Sequence, residues 1–456
     1  MSTIDTAVSA LNSGLSGHLI RPGDADYDKA RTVMYGGFDF HPGVIVRVKS
    51  AADIQKAVNA ARDNSVELAV RSGGHSAAGH SGSEGGIVID LRDMKAIEID
   101  EATKTVWAET GVTAEELTKA TTAKNLVVGF GDAGSVGIGG ITLGGGVGYL
   151  SRKHGLTIDS LLAVEIVTAD GKVRTVDATH EPDLFWAVRG GGGNFGVAVR
   201  FKYQLQDLPA FTGGMICLPA TAETIAGFVA AAEAAPNELS TIANVMPAPP
   251  MPFLPAEVHG KMVILGMIAY AGDDAAAQKA IAPFRALATP YADFIKPGPY
   301  LSMYPPEDPD YHPTAVSKNM FMNRIGVAEA QQIVDTLNTS TATFKVTQIR
   351  VLGGAIADVA ADATAYAHRT APIMVNIAAF FTTPSDKETQ TRWVDEYAAA
   401  MQQEITGAYV NFVGDEGAER IHAAYPTATW ERLRAIKAKV DPRNLFSRNQ
   451  NIVPAQ

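Results

Sequence analysis

The sequence predicts an α+β fold with more than one compact unit in the chain. Over residues 42–209, short apolar runs typical of strands alternate with short helices and hairpin signals. After Pro209, alanine-rich amphipathic segments alternate with β-branched runs, and the pattern changes again over the last fifty residues. Hairpins favour α+β over a doubly wound parallel sheet. A chain of 456 residues, 46% of them hydrophobic, is long enough for two sizeable cores.

The first segment begins with a strand at residues 45–48. Ser50 and Asp53 have the spacing of a helix N-terminus, which predicts a helix through about Asp63. Residues 67–70 and 86–91 are apolar enough for buried strands on either side of a glycine-rich loop.

Two hairpins and one further helix follow. Residues 96–100 and 105–110 are separated by a short turn, which predicts the first hairpin. Thr113 with Glu116 has capping-box spacing and predicts a helix. The Asp170-Gly171 turn predicts the second hairpin.

The rest of the chain contains longer helices and proline-rich loops. Residues 221–236 and 273–287 predict amphipathic helices, and residues 246–257 and 296–313 predict ordered loops, with a lid as an alternative role. Near the end we expect a helix over 429–439, stopped by Asp441-Pro442, and then a short strand, NQNIV.

Charge and composition exclude some functions. The net charge is −11, and no run of Lys and Arg is long enough to track phosphates, so we expect no nucleic-acid partner. The first twenty residues have no cationic start before an apolar block, and no apolar run reaches about 18 residues, so we expect a cytoplasmic protein without a membrane segment. Cys217 is the only cysteine, which excludes an internal disulfide and a thiolate metal cluster, and no metal is expected.

Glycine is concentrated in residues 71–82, 131–155 and 189–197. Such loops let backbone N–H groups converge on an anion, so they favour a phosphate or dinucleotide site over a purely structural role. In the middle cluster we expect a short helix beginning at the glycine run, which would direct helix N-terminal amides to a phosphate.

A Rossmann site is not supported by the third cluster. Gly191, Gly193 and Gly196 match G-x-G-x-x-G, but a helix precedes them and a strand follows, the reverse of the dinucleotide motif. A phosphate-binding loop is also excluded, because no glycine run ends in GK[ST].

Four sequence blocks together resemble one family. These are RSGGHS (71–76), GSVGIGGITLGGGVGYLSRKHGLTIDSL (134–161), DLFWAVRGGGGNFGV (183–197) and DPRNLFSRNQNIVP (441–454). They resemble the FAD-linked oxidases of the vanillyl-alcohol-oxidase superfamily (PCMH-type FAD-binding), and most of all the berberine-bridge-enzyme-like branch with its bacterial hydroxynicotine-oxidase-type members.

The resemblance implies a fold and domain limits. It implies an FAD domain of two α+β subdomains built from both chain ends, and a central α+β substrate domain whose antiparallel sheet covers the active site. We therefore expect FAD-binding residues 1–209, with their core at 40–209, a substrate domain over 210–404, and a berberine-bridge-like segment over 405–456 that returns to the FAD domain.

The resemblance also implies an FAD site, in which His75 is bonded to the 8α carbon of the flavin; a noncovalent FAD site is the alternative. Ala133 stands where bicovalent members have a cysteine, so a single histidyl linkage is expected. Val136 resembles the residue of oxygen-reactive members beside the flavin. The residues expected to bind FAD are Arg71, Ser72, Gly73, Gly74, His75, Ser76, Gly79, His80, Gly134, Ser135, Val136, Gly139, Gly140, Gly144, Gly145, Gly146, Gly148, Gly155, Asp159, Gly196, Val197, Asn449 and Asn451.

Tyr409 is the expected catalytic residue. Residues 409–412, YVNF, resemble the family motif Tyr-x-Asn-Tyr, whose first tyrosine can act as a base, and Phe412 replaces the second tyrosine. A tyrosine has an ordinary pKa near 10, so a base at neutral pH needs a cationic neighbour or the flavin field, and the sequence does not identify that neighbour.

The expected reaction is hydride transfer from a small alcohol, amine, or phenolic or alicyclic metabolite to covalent FAD, with O₂ reoxidising the flavin to give H₂O₂. Alternatives are a dehydrogenase with another acceptor and a low-turnover flavin-carrying binding protein.

The apolar central domain favours an aromatic or alicyclic substrate over an oligosaccharide, and a homodimer is possible. Polar residues of that domain that could face a pocket are Tyr311, His312, Lys318, Tyr366 and His368.

Overall fold

The computed structural model describes residues 2–456 and has the predicted α+β architecture. Most strands pair antiparallel, and the longer helices pack on one face of the largest sheet. The α-helices are α1 Thr3–Leu11, α2 Tyr27–Arg31, α3 Ala51–Asn64, α4 Ala114–Thr122, α5 Ile138–Gly144, α6 Ser151–His154, α7 Pro182–Ala187, α8 Ala222–Ala234, α9 Asp274–Arg285, α10 Val327–Thr339, α11 Lys387–Met401, α12 Ala418–Ala423 and α13 Thr427–Val440.

The first sheet is mixed. Its strands are β1 His18–Ile20, β2 Val44–Arg47, β3 Leu68–Arg71 and β4 Ile87–Asp90. The spatial order is β1-β2-β4-β3, with β2, β4 and β3 parallel and β1 antiparallel. Helix α3 connects β2 to β3 and packs its Ile54 and Val58 into the same core as β4. Burial on both faces explains why these strands are continuous apolar runs.

The second sheet is antiparallel and contains both predicted hairpins. In chain order the next strands are β5 Ile97–Asp100, β6 Thr105–Glu109, β7 Leu126–Val127, β8 Leu161–Val167, β9 Val173–Asp177, β10 Val197–Gln204 and β11 Gln206–Asp207. The sheet order is β5-β6-β10-β8-β9, and β7 pairs separately with β11. Gly171 has φ +76° in the second hairpin, where its lack of a side chain is needed.

The third sheet is the central one and is entirely antiparallel. Its strands are β12 Thr212–Pro219, β13 Leu239–Pro247, β14 Met262–Tyr270, β15 Ala292–Asp293, β16 Lys296–Pro297, β17 Ala315–Met322, β18 Phe344–Val351 and β19 Ile373–Phe380. The order is β15-β12-β14-β13-β18-β19-β17, and β16 also pairs with β12.

The two faces of the central sheet differ in character. Ile349 of β18 and Val375 and Ile377 of β19 pack with helices α8 to α11 in the largest apolar core. Because side chains alternate along a strand, Gln348 and Asn376 face the other way. The sheet therefore presents polar groups to the side opposite its helices.

The C-terminal segment packs against the first half of the chain. Val410, Leu433 and Ile452 belong to the same apolar core as Val106 of β6 and Phe201 of β10. This packing agrees with an FAD-binding part built from both chain ends, while the limits 1–209, 210–404 and 405–456 stay predictions.

Two local predictions differ from the structure. Residues 449–453 form no strand, because their backbone is bound by a side chain: Ile452 N donates to Asn194 Oδ1, and Asn194 Nδ2 donates to the carbonyl of Gln450. The short helix expected to begin at the glycine run is present, but it begins later, as α6 at Ser151. The glycine run itself ends α5 at Gly144, because Gly145 and Gly146 have φ +136° and +85° and cannot continue a helix.

None of the helices within residues 2–456 has the length and apolar character needed to cross a membrane.

Candidate active site

A cavity of about 1080 Å³ lies between the glycine-rich loops and the polar face of the central sheet. This volume exceeds the upper end of the range of about 300–1,000 Å³ typical of small-molecule sites, so it has room for a large cofactor together with a substrate. We call residues 72–77, 136–141 and 192–194 its floor, and the side chains of β18 and β19 its roof. The roof residues are Val346, Gln348, Arg350, Asn376 and Ala378.

Two glycine loops cross tightly in the floor. A Cβ on Gly73 would lie 2.2 Å from Gly137 N, and a Cβ on Gly137 would lie 2.3 Å from Gly73 N. Ser72 Oγ donates to the Thr110 carbonyl and accepts from Gly139 N, which ties the first loop to α5. Only glycines permit this crossing, which leaves backbone rather than side chains along the floor.

Unpartnered buried atoms indicate that the cavity is built for a polar ligand. His80 lines it, and within residues 2–456 the two ring nitrogens of this half-buried residue are themselves buried and have no hydrogen-bond partner. Burial lowers the pKa of His80 to about 4, so the imidazole is neutral. Asn449 also lines the cavity with a buried, unpartnered Oδ1 within the same described residues. Since buried polar groups are nearly always paired, these atoms and the bare glycine backbone fit a dinucleotide such as FAD.

His75 lies in the floor and is held by a hydrogen bond. Its Nε2 is 2.9 Å from Ser135 Oγ, and Ser135 in turn contacts Glu307. Burial lowers the pKa of His75, and the nearby Glu307 opposes this shift. The imidazole is therefore neutral near pH 7, which is the form that can act as a nucleophile.

Tyr409 borders the same cavity, and its hydroxyl oxygen accepts two hydrogen bonds. The donors are Gly146 N and Asn411 Nδ2, each at 2.8 Å. Tyr409 N donates to Asn319 Oδ1 at 2.6 Å, which fixes the backbone. Burial raises the pKa of the Tyr409 phenol, while Asn411, the Gly146 N–H and the positive charge of Arg350 act in the opposite direction.

The glycine run at 144–146 makes room for these groups. A Cβ on Gly144 would lie 2.0 Å from Asn411 Oδ1, and one on Gly145 would lie 3.2 Å from the Tyr409 ring. The run thus lets the Y-x-N segment approach the backbone closely, a role that its glycine content alone did not reveal.

Arg350 is the cationic neighbour that the sequence did not identify. Its Nη2 donates to Asp132 Oδ2 at 2.8 Å and to Gln348 Oε1 at 2.7 Å, and its guanidinium lies 5.3 Å from the centre of the Phe412 ring. Polar residues at 348 and 350 alternate with apolar ones in FKVTQIRV, and this period-two pattern was the available signal.

A row of amide side chains crosses four adjacent strands of the central sheet, and its two middle members belong to the roof. Asn244 of β13 pairs in register with Gln348 of β18, Gln348 with Asn376 of β19, and Asn376 with Asn319 of β17. Gln348 Nε2 donates to Asn244 Oδ1 at 3.0 Å. Among residues 2–456, Asn376 Oδ1 has no partner although it is buried, so this amide is free to bind a polar group in the cavity.

About half of the predicted site residues line this cavity. They are Ser72, Gly73, Gly74, His75, Ser76, His80, Val136, Gly139, Gly140, Gly196, Tyr409 and Asn449.

The structure does not bring the other predicted residues to the cavity surface. Arg71 donates to the carbonyls of Ala30 and Thr32, and a Cβ on Gly148 would meet the Phe130 carbonyl at 1.6 Å. Asp159 binds Arg369 through both carboxylate oxygens. The other residues of this group are Gly79, Gly134, Ser135, Gly144, Gly145, Gly146, Gly155, Val197 and Asn451.

The polar residues of the central domain that the sequence suggested could face a pocket also divide between the cavity and other parts of the structure. Lys318 lines the cavity and pairs with Asp395. Tyr366 lies behind Tyr409, with ring centroids 6.0 Å apart, and His368 hydrogen-bonds the Ala424 carbonyl. Tyr311 is 64% exposed, and His312 hydrogen-bonds the Met34 carbonyl.

The fold places a mixed sheet and two antiparallel sheets around a cavity large enough for a dinucleotide. This combination is typical of flavin-dependent oxidoreductases. Comparisons with known proteins support this class. Residues 42–177 match the family model described as "FAD binding domain", and residues 408–453 match "Berberine and berberine like".

Relatives span nearly the whole chain. YvdP of Bacillus subtilis, an uncharacterized FAD-linked oxidoreductase, is 30% identical over 97% of this chain and 99% of its own. (R)-6-hydroxynicotine oxidase of Paenarthrobacter nicotinovorans is 28% identical over 96% of this chain and 97% of its own. Chitooligosaccharide oxidase of Gibberella zeae is 26% identical over 99% of this chain and 96% of its own.

Solved structures share the fold. 6-Hydroxy-D-nicotine oxidase of Arthrobacter nicotinovorans superposes with TM-score 0.85 at 26% identity, covering 97% of this chain and 99% of its own. BBE-like 1 of Physcomitrella patens superposes with TM-score 0.87 at 24% identity, covering 99% of both chains. The chain belongs to the FAD-linked oxidoreductase family with a berberine-like C-terminal segment, which confirms the resemblance found in the sequence, and it is an FAD-dependent oxidoreductase.

Proposed function

We propose that this protein is an oxidase that carries FAD bonded to His75 and oxidises a small alcohol or amine, with O₂ as the electron acceptor. One observation carries the proposal. The hydroxyl oxygen of Tyr409 accepts hydrogen bonds from two N–H groups. Tyr409 lines the same cavity as the neutral His75 side chain.

Bound FAD would supply an acceptor for a hydride from the substrate carbon and a route for its two electrons to O₂, so that R₂CH–XH and O₂ would become R₂C=X and H₂O₂. For this cofactor the floor supplies backbone from residues 73–74 and 137–140, and His75 supplies the bonding nitrogen. The ring nitrogens of His80 and Oδ1 of Asn449 supply polar atoms that lack other partners within residues 2–456.

Tyr409 removes the proton from the substrate O–H or N–H. A phenolate needs donors aimed at its oxygen, and Gly146 N and Asn411 Nδ2 already have that position. The positive charge of Arg350 also favours the phenolate. These three groups supply the local tuning that a base with an ordinary pKa near 10 requires.

The roof supports a substrate with both apolar and hydrogen-bonding parts. Phe380 and Phe412 line the cavity together with the amides of Gln348 and Asn376. The names of two relatives indicate different substrates, a hydroxynicotine for one and a chitooligosaccharide for the other. We favour an aromatic or alicyclic alcohol or amine, because aromatic side chains stack on such rings and the amide row can bind one polar substituent.

Acid denaturation tests the covalent flavin. We expect the yellow chromophore to stay with the native polypeptide after acid precipitation and to be released from His75→Ala. His180→Ala, at an exposed histidine, is the matched control and should retain it. Release from the native chain would contradict the linkage, and a colourless native protein would contradict flavin binding itself.

Anaerobic reduction tests the oxidase assignment. A panel of aromatic and alicyclic alcohols and amines is mixed with the protein without oxygen, and the flavin absorbance is followed. We expect bleaching with at least one class, and then rapid return of the absorbance with stoichiometric H₂O₂ when air is admitted. Bleaching that persists in air would favour the dehydrogenase alternative, and no bleaching with any class would favour a flavin-carrying binding protein.

The cytoplasmic location and the possible homodimer stay predictions. Cell fractionation tests the first, and light scattering of the purified protein tests the second.

A further inference from the structure

A chain of hydrogen bonds leads from His75 to a carboxylate at the surface. His75 Nε2 lies 2.9 Å from Ser135 Oγ. The Glu307 carboxylate binds Ser135 twice, since Oε2 contacts the hydroxyl and Oε1 accepts from the backbone N–H at 3.3 Å. Glu307 is exposed, so the chain connects the half-buried imidazole in the cavity floor with a group that exchanges protons with solvent.

The chemistry of the three groups fixes the direction of each hydrogen bond. An ionised carboxylate can only accept, so the Ser135 hydroxyl donates to Glu307. The Ser135 oxygen then accepts, so His75 must donate through Nε2–H. In a neutral imidazole the other nitrogen, Nδ1, carries the lone pair. No group within residues 2–456 forms a hydrogen bond with Nδ1.

We propose that Glu307 acts through Ser135 as a positioning residue for cofactor attachment: it fixes the proton of neutral His75 on Nε2, which leaves the lone pair on Nδ1, and it receives the Nε2 proton on attachment. The inference rests on the proposed covalent linkage. It adds to it two residues, Ser135 and Glu307, that control the rate of attachment.

The attachment reaction balances with O₂ as the oxidant. The bond that forms joins Nδ1 to the 8α carbon of the flavin, and one C–H bond of that methyl group breaks. Its proton is released and its electron pair passes through the flavin to O₂. The imidazole would become a cation on alkylation, and it stays neutral by losing the Nε2 proton through Ser135 to Glu307. The two protons and two electrons together convert O₂ to H₂O₂.

The loop that carries Glu307 is held against the N-terminal part of the chain. Gly36 N donates to the Pro313 carbonyl at 2.9 Å, and His312 Nδ1 lies 3.1 Å from the Met34 carbonyl. A Cβ on Gly36 would lie 2.6 Å from the His312 carbonyl oxygen, so the two segments are in close contact. This docking keeps Glu307 within reach of Ser135.

The surrounding charges also favour a relay. Burial is the largest influence on His75 and lowers its pKa; the Glu307 charge raises it and the Arg71 charge lowers it. An alkylated, cationic imidazole in this setting would be costly without an acceptor for its remaining proton.

The test follows covalent attachment in the full-length protein. Wild type, Glu307→Gln, Glu307→Asp, Ser135→Ala and the neighbouring control Asp308→Asn are purified with FAD present and incubated in air. Total bound flavin is measured by absorbance, acid-stable flavin is measured over time, and folding is checked by thermal unfolding. The bonded nitrogen is identified by NMR of the flavin peptide isolated from the wild type.

We expect Glu307→Gln and Ser135→Ala to bind FAD fully but to form acid-stable flavin at least about tenfold more slowly, the lower range of proton-transfer catalysis. Glu307→Asp should recover most of the rate, and Asp308→Asn should match the wild type. The rate of Glu307→Gln should rise at high pH, where hydroxide can take the Nε2 proton.

The contrary outcomes separate the two proposals. Wild-type protein without acid-stable flavin overturns the covalent linkage and this inference with it. Acid-stable wild-type flavin together with a wild-type rate in Glu307→Gln overturns only the role of Glu307. A bond at Nε2 overturns the assignment of Nδ1, whatever the rates.

Discussion

At the scale of single residues, the main question is whether the Tyr409 side chain is a neutral phenol or a phenolate. Complete burial favours the neutral phenol, whereas two N–H donors and Arg350 favour the phenolate. Donors aimed at a charged oxygen are worth more than donors to a neutral one, so the site reduces the cost of losing the proton. Both outcomes of this balance are open to measurement.

Replacing the tyrosine removes the base. Tyr409→Phe should lower the rate of anaerobic flavin reduction by about 10²–10⁴-fold, the usual contribution of a general base, with little change in substrate affinity. Stopped-flow absorbance at several substrate concentrations gives both quantities. Reduction at the wild-type rate would contradict the catalytic role of Tyr409.

Removing one donor should shift the pH dependence. Asn411→Leu deletes the amide N–H that binds the Tyr409 oxygen, so the pKa of the phenol should rise further. Because the deprotonated form is active, the rate increases with pH, and in the variant this increase should occur at higher pH. The measurement is the flavin reduction rate across pH, and an unchanged profile would show that Asn411 does not tune the base.

At the scale of elements, the end of α5 supports Tyr409. Gly146 has φ +85°, a Cβ there would lie 2.0 Å from Thr157 Oγ1, and its N–H binds the Tyr409 oxygen. Gly146→Ala should therefore lower the melting temperature and the flavin reduction rate together. Gly260→Ala is the control, because it has φ +78° but meets nothing within 4 Å and lies outside the cavity lining. A similar loss in both variants would show that φ alone, and not the Tyr409 contact, is responsible.

The amide row on the central sheet should control substrate binding. Asn376 Oδ1 lacks a partner within residues 2–456 and Asn376 lines the cavity, so Asn376→Leu removes a polar contact to the substrate. We expect kcat/KM to fall about 5- to 150-fold, mostly through KM, as for the loss of a hydrogen bond worth about 1–3 kcal/mol. Asn338→Leu, at an exposed position on α10, is the matched control. Equal steady-state kinetics in wild type and Asn376→Leu would exclude the amide from recognition.

At the scale of the whole molecule, two ion pairs join the glycine-rich part to the segment beyond residue 340. Arg350 pairs with Asp132 at the cavity. Arg369 is fully buried and binds both oxygens of Asp159 at 2.7 and 2.8 Å. Asp159 therefore connects the segment after the second glycine cluster with the chain that follows β18, a structural role for this residue of the glycine-rich motif.

Breaking the buried pair should destabilise the protein. Arg369→Leu leaves Asp159 buried without its partner and should cost about 3–5 kcal/mol in the free energy of unfolding. Combining it with Asp159→Leu should recover much of that loss, because no unpaired charge remains. Arg324→Leu, at an exposed arginine that pairs with Glu329, is the control and should cost less than about 1 kcal/mol. Denaturant unfolding measures all three, and a double variant no more stable than Arg369→Leu would argue against the pair as the cause.

Much of the fold and part of the site could be predicted from local sequence. Caps at Ser50 and Thr113 and the Asp170-Gly171 turn determine short-range geometry, and the structure confirms each of them. The C-terminal strand was wrongly predicted, because its polar backbone groups pair with the Asn194 side chain, more than 250 residues earlier in the chain. No local pattern reports such a partner.

The sequence by itself determined the α+β class, the hairpins, the glycine loops and, through motif resemblance, the flavin-dependent family with His75 and Tyr409 as its reactive candidates. These depend on interactions between near neighbours or on residues kept together in short blocks. Only the tertiary structure brought Arg350 and Asn376 to the cavity and Glu307 to Ser135, and only it removed Asp159 and Gly148 from the cavity surface. Whether a polar side chain reaches a site depends on how distant strands and loops pack, and that packing is set by the burial of apolar faces across the whole chain.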